Sequence, residues 1–370
     1  MSRMTVVYRV RSNAASIEAR AQAIAVEQSV EMPLAAISDE RVLREIVGEV
    51  QGIRELEAGL FDVRIGLAVE TTGFEAGQLL CMLFGNTSLQ EDVTLRCAEI
   101  PDAMCVHFGG PNFGVEGLRA ACGADGRALT CTALKPQGLP PKELAALAWR
   151  LAAGGIDFIK DDHGLADQAY SPFADRVRAC AEAVRRARAE TGSRTIYVPS
   201  VTGSTDAAAS QITLTIEEGV GAVMVEPMII GVSNFHRLVR QFPGMAFIAH
   251  PALAGASRIA PPLLLGRLFR LFGADVTIYP NYGGRFSYSP QTCKAVADAA
   301  RRPWASLKPC MPCPAGGMTL DRVPEILDFY GPDTMLLIGG SLLSARDRMT
   351  QETAAFAARV ASHFEERSHG

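Results

Sequence analysis

From Ala128 onward, short apolar segments alternate with longer amphipathic ones, and this alternation constrains the fold more than any other feature. The apolar segments run Thr130 to Lys135, Ile156 to Lys160, Ile196 to Ser200, Ala222 to Glu226, Ala246 to His250, Val276 to Pro280, Ser306 to Cys310 and Met335 to Gly339. Most have the length and apolar continuity of a strand buried on both faces. Between them lie helix candidates: Lys142 to Ala153, Pro172 to Glu190, Asp206 to Glu218, Pro261 to Phe272, Pro290 to Arg301 and Leu320 to Phe329. Parallel strands need crossovers, which these helices supply. Eight such units over ~250 residues predict a (β/α)8 TIM barrel, with an open doubly wound sheet as the main competitor.

The preceding residues read differently. Thr5 to Val10, Phe61 to Ala68 and Gln78 to Phe84 are strand candidates, whereas Asn13 to Ala25 and Asp39 to Val50 read as helices. That mixture predicts an N-terminal α+β, ferredoxin-like domain over residues 1–111, joined at Phe108-Gly109-Gly110-Pro111 to a barrel domain over residues 112–370. A formal net charge of -4 and the lack of a dominant basic run argue against nucleic acid or anionic membrane as a partner. Met1-Ser2-Arg3-Met4 leads directly into a strand-like segment, and nine scattered cysteines form no framework, so a reducing cytoplasm is the expected location. Cys310-Met311-Pro312-Cys313 has half-site spacing for zinc or redox chemistry, but no second pair lies nearby.

If the barrel forms, its chemistry belongs at the C-terminal strand ends. Those ends carry Lys135, then Lys160-Asp161-Asp162-His163, Glu226, His250, Arg285, Gly316-Gly317 and Gly339-Gly340. A structural strand end does not require so many ionisable groups, and their convergence on one rim predicts an enzyme. Asp162, with His163 or Asp161, offers ligands to a divalent ion such as Mg2+. Lys160 beside them is either an ion-pair partner or a carbamylated, oxygen-donating ligand. Lys135 and His250 are acid/base candidates. The two late glycine pairs, Gly316-Gly317 and Gly339-Gly340, stand where barrels of this kind hold phosphate. Met228, Met311 and Phe286 are apolar candidates for a thioether at the open end.

Thr132-Ala133-Leu134-Lys135-Pro136, followed by Gly154-Gly155-Ile156-Asp157-Phe158-Ile159-Lys160-Asp161-Asp162, resembles the first two barrel strands of the ribulose-bisphosphate carboxylase large subunit. The likeness is closest to the shorter, non-carboxylating RuBisCO-like proteins (form IV). Glu27-Gln28-Ser29, Gly85-Asn86-Thr87, His250, Gly284-Arg285 and both glycine pairs extend it over nearly the whole chain. The resemblance implies Mg2+ held by a carbamylated Lys160 with Asp162 and a Lys135 that abstracts a proton beside a carbonyl. It also implies a homodimer in which Glu27 and Asn86 complete the partner's site.

Departures from the carboxylase are equally informative. Gln137 replaces a second lysine, His163 a third acidic ligand, Pro251 an arginine, Arg285 a loop lysine and Ala315 a serine, while Tyr279-Pro280 stand at an expected histidine. The losses fall on a second phosphate and on the carboxylated intermediate. The expected function is therefore not CO2 fixation but isomerisation of a singly phosphorylated ketose, 5-methylthioribulose 1-phosphate, in methionine salvage. The alternatives are enolisation of 2,3-diketo-5-methylthiopentyl 1-phosphate, decarboxylation or hydrolysis of an oxo-acid sugar phosphate, and a catalytically degraded regulatory protein.

Overall fold

The computed structural model describes residues 2–286 and 288–368. Its N-terminal layer is a four-stranded antiparallel sheet of β1 (Arg3–Arg11), β2 (Glu49–Glu57), β3 (Leu60–Ala68) and β4 (Val93–Glu99), in spatial order β2-β3-β1-β4. Helix Ile17–Glu27 follows β1 and helix Ala76–Phe84 follows β3, giving the split βαβ order of a ferredoxin-like domain. Along β1 every second residue (Met4, Val6, Tyr8, Val10) is fully buried, as a strand with one covered face requires. The Tyr8 hydroxyl donates to the Leu83 carbonyl at 2.7 Å and so ties sheet to helix.

Eight parallel strands make the second body: β5 (Leu129–Leu134), β6 (Phe158–Asp161), β7 (Ile196–Val198), β8 (Ala222–Val225), β9 (Ala246–Ala249), β10 (Val276–Pro280), β11 (Met311–Ala315) and β12 (Met335–Leu337). They run β7-β6-β5-β12-β11-β10-β9-β8, and the ends meet where Met224 N–H donates to the Pro199 carbonyl and Val201 N–H to the Met224 carbonyl, both at 2.9 Å. The barrel interior is packed by alternate residues, among them Cys131, Phe158, Val198, Met224, Ile248, Ile278, Cys313 and Leu337. Among the described residues no helix is long and apolar enough to cross a membrane.

Three sequence-based assignments need correction. Gln78 to Phe84 is not a strand but most of helix Ala76–Phe84: its buried residues Ala76, Leu79 and Leu83 recur at helical spacing, and the Glu75 carboxylate caps Gln78 N–H at 2.7 Å. A short apolar run of this kind fits either element by pattern alone. Asp39 to Val50 is not one long helix: after a single wide turn over Val42–Ile46 the chain extends into β2. Gly48 lies so close to the first helix that a Cβ there would sit 2.4 Å from the Ala25 carbonyl oxygen, and pairing with β3 overrides the helical propensity of a Glu- and Arg-rich segment. The seventh barrel strand is Met311–Ala315 rather than Ser306 to Cys310. Pro312 and Pro314 argue against an interior strand because they cannot donate to a ladder. Pairing toward β12 is correspondingly reduced to Ala315 with Leu337.

Candidate active site

Strand periodicity builds the site. Side chains alternate across a sheet, so the sequence that sends Phe158 into the barrel also sends Lys160 and Asp162 there, and sends Asp161 outward. The same rule carries Glu226 inward after Ala222 and Met224, and His250 after Ala246 and Ile248. Lys135 continues the series Leu129, Cys131 and Ala133 on β5. These residues therefore gather at one mouth of the barrel, above its apolar layers.

At that mouth the Lys135 ammonium contacts Asp162 Oδ2 directly, and Asp162 Oδ1 lies 2.9 Å from His163 Nδ1. Burial of Asp162 favours its protonated form, but the hydrogen bonds from His163 and Lys135 outweigh it and hold the carboxyl well below the usual range. Below, Lys160 is 4 % exposed and its Nζ donates to the Asp161 carbonyl at 2.9 Å. Burial works against its charged form and lowers its pKa, with Lys135 acting in the same direction. The His163 and His250 rings stack with centroids 4.5 Å apart. Burial, Lys160 and His163 push His250 down to about 2, so the ring is neutral, and its Nδ1 accepts from Ala252 N–H at 3.2 Å. Glu226, 3.6 Å from His250, has its pKa raised by burial. Sequence reasoning placed Glu226 on this rim without a specific role, and its spacing from Ala222 and Met224 is what turns it inward.

Asp161 does not join this group. Its carboxylate faces outward and is fully buried, accepting from Arg176 Nε at 3.0 Å, Tyr197 hydroxyl at 2.8 Å and Ser200 N–H at 3.1 Å. The expectation of Asp161 as an alternative metal ligand is therefore corrected. Gln137 reaches the loop after Asp162, where a Cβ on Gly164 would collide with its amide.

The glycine pairs behave differently from each other. Gly317 takes φ +66°, and a Cβ there would meet Gly283 O at 2.8 Å and Gly284 Cα at 2.9 Å, so this glycine serves loop-to-loop contact. Gly316, Gly339 and Gly340 face open space. Arg285 is exposed, with its guanidinium 5.0 Å from the Phe286 ring. Met311 is wholly buried low in the barrel and is removed from the thioether candidates, while Phe286 is exposed and Met228 packs against the core. Glu27 and Asn86 lie on the N-terminal domain, joined by an Asn86 Nδ2 to Glu27 Oε1 hydrogen bond of 3.0 Å. Cys310 and Cys313 are buried free thiols. Among the described residues no three His, Cys, Asp or Glu side chains gather as a metal-ligand set.

Comparisons with known proteins agree with this fold. Residues 114–278 match the ribulose bisphosphate carboxylase large chain catalytic domain. A Rhodospirillum rubrum protein named 5-methylthioribulose-1-phosphate isomerase is 59 % identical over 97 % of this chain and 96 % of its own. A 2,3-diketo-5-methylthiopentyl-1-phosphate enolase from Geobacillus thermodenitrificans is 31 % identical over 88 % of this chain and 84 % of its own. The crystal structure of a Rubisco-like protein from Rhodopseudomonas palustris superposes with a TM-score of 0.92 at 52 % identity, covering 98 % of this chain and 99 % of that one. The fold, the composition of the barrel mouth and these relatives together make the chain a member of the ribulose bisphosphate carboxylase large-chain family, among its RuBisCO-like proteins.

Proposed function

We propose that this chain isomerises 5-methylthioribulose 1-phosphate by enolisation. The observation that carries the reading is the direct contact of the Lys135 amine with Asp162 over a buried Lys160, at the barrel mouth where ionisable groups collect. The name of the Rhodospirillum rubrum relative supports the choice of substrate. Lys135, as a free amine, takes the proton from the carbon next to the ketone; the electron pair forms an enediolate, and return of the proton to the former carbonyl carbon moves the carbonyl one position along the chain. Freeing that amine requires Asp162 to leave its ion pair with Lys135 and the ammonium to release one proton to solvent. His250, held neutral, is the group placed to exchange a proton with the substrate oxygens. The open space beside Gly316, Gly339 and Gly340 leaves room for the single phosphate to approach the backbone.

The family's Mg2+ fits the residues present. A lysine adds CO2 only as its neutral amine, gaining an N–C bond and losing one proton, and burial of Lys160 favours that neutral form. Carbamylated Lys160 and Asp162 would hold the ion, with His163 beside them, and the ion would supply positive charge to the developing enediolate. Glu27 and Asn86 would serve the site of a second subunit in a homodimer. The same apparatus suits the diketo phosphate of the Geobacillus relative, and one assay separates the two. Solvent deuterium incorporation and product analysis should find carbonyl migration on 5-methylthioribulose 1-phosphate, lost in Lys135→Ala. Turnover of the diketo phosphate alone would replace isomerase with enolase, and exchange on neither would remove both.

A further inference from the structure

A second cationic recess lies away from the barrel mouth, between the edge strand β4 and the outer helices of the barrel. Its volume is about 360 Å³, room enough for a small phosphate ester. Arg96 and Cys97 of β4 form one wall, Arg267 and Leu263 a second, and Arg302 with Trp304 a third. None of these residues lies at a C-terminal strand end of the barrel.

Its charge is not neutralised from within. Among the described residues no carboxylate forms an ion pair with Arg96, Arg267 or Arg302, and each nearby acid is engaged elsewhere. Asp62, on the side of Arg96, is held by Arg9 at 2.9 Å and Arg54 at 3.3 Å. Asp298, which lines the recess, is held by Lys294 at 2.5 Å and Arg301 at 3.4 Å. Glu99, the acid near Arg267, pairs with Arg64 at 3.1 Å. Behind the wall, fully buried Arg270 gives its guanidinium only to the carbonyls of Arg302, Leu307 and Lys308 and adds charge without an acid. Arg267 is fixed in place, with Cζ 4.2 Å from the centre of the Trp304 ring. Burial disfavours the charged form of Arg267, with Arg302 adding to the effect, while Arg96 and Arg302 are exposed at the edge of the recess. Three guanidiniums line the hollow against one carboxylate, Asp298, which is already paired with Lys294 and Arg301, so the lining keeps an excess of positive charge that an entering anion would offset.

We propose that this recess binds the phosphate group of a small metabolite, separately from the barrel mouth. Guanidinium forks match phosphate oxygens two at a time, and Pro262, Leu263 and Trp304 give an apolar wall for the organic remainder. A ligand here would span the two domains. Leu95, next to Arg96, already receives a hydrogen bond from Ala260 N–H at 2.8 Å, at the foot of the segment that leads down from His250.

The chain has two tryptophans, so Trp149→Phe leaves Trp304 as the sole indole reporter. In that background, inorganic phosphate titrated at constant ionic strength should change Trp304 fluorescence saturably, and equal ionic strength of chloride should not. Arg96→Gln and Arg302→Gln should each weaken the apparent affinity about tenfold, as loss of a charge-assisted contact predicts, with the lysine replacements falling between. Lys135→Ala should leave the titration unchanged. A signal that fails to saturate, that chloride reproduces, that ignores Arg96 and Arg302, or that disappears with Lys135 would overturn the proposal.

Discussion

Consecutive aspartates on β6 and just after it offer a sharp test, because strand phase gives them opposite environments. Replace each in turn by asparagine. Asp161 is fully buried and, among the described residues, is the only carboxylate on Arg176, itself 0 % exposed. Removing the charge leaves a buried guanidinium uncompensated, at a cost of about 3–5 kcal/mol. Asparagine also accepts less strongly from Ser200 N–H and the Tyr197 hydroxyl, adding to the loss. Against a usual total stability of about 5–15 kcal/mol, Asp161→Asn should fold marginally. Asp162 is also buried, but its partner Lys135 is 42 % exposed and an asparagine keeps an acceptor for Gly164 N–H, so Asp162→Asn should cost clearly less than Asp161→Asn, about 1–2 kcal/mol, while abolishing turnover. Urea unfolding followed by far-ultraviolet circular dichroism, beside deuterium exchange on the ketose phosphate, measures both quantities. A stable but inactive Asp161→Asn, or an unstable Asp162→Asn, would mean that the strand phase is inverted. A double variant, Asp161→Asn with Arg176→Met, should recover part of the lost stability.

Three further outcomes follow from the same geometry. Burial lowers the Lys160 pKa below its unfolded value, so the ammonium costs stability below the folded pKa, and stability rises with pH between the folded and unfolded pKa values; Lys160→Met should raise the urea midpoint at neutral pH and remove metal-dependent turnover, and a lowered midpoint there would refute the burial argument. Gly317→Ala imposes a Cβ 2.8 Å from Gly283 O on a residue at φ +66° and should cost at least about 1–2 kcal/mol while weakening substrate binding; wild-type stability and KM would show the loop contact to be slack. If Glu27 serves a neighbouring subunit, inactive Glu27→Gln mixed with inactive Lys135→Ala should regain partial activity, and an inert mixture would leave each site complete within one chain.

The barrel was legible because a strand buried on both faces leaves an unmistakable apolar run, as in Ala222–Val225 and Val276–Pro280. Where burial was one-sided or backbone chemistry unusual, the pattern misled. Edge strand β2 is largely exposed and carries the charged residues of a surface helix, and only its pairing with β3 reveals it. Two prolines hid β11. At the barrel mouth, spacing brought Lys135, Lys160 and Asp162 together but did not separate Asp161 from Asp162, because the partner that claims Asp161 lies fifteen residues on, at Arg176. The recess between β4 and the barrel helices had no sequence signature, since Arg96, Arg267 and Arg302 meet only in the fold.

The backbone contact between Gly283-Gly284 and Gly316-Gly317 has an evolutionary corollary. Arg322 reinforces it by donating to Gly317 O at 2.9 Å and binding Glu325, which also accepts from the Tyr282 hydroxyl at 2.8 Å. Two loops more than thirty positions apart in sequence therefore share one steric allowance. A lineage that acquired a side chain on either would have to reshape the other in step, so a change of substrate at this end of the barrel should arrive as paired replacements rather than single ones.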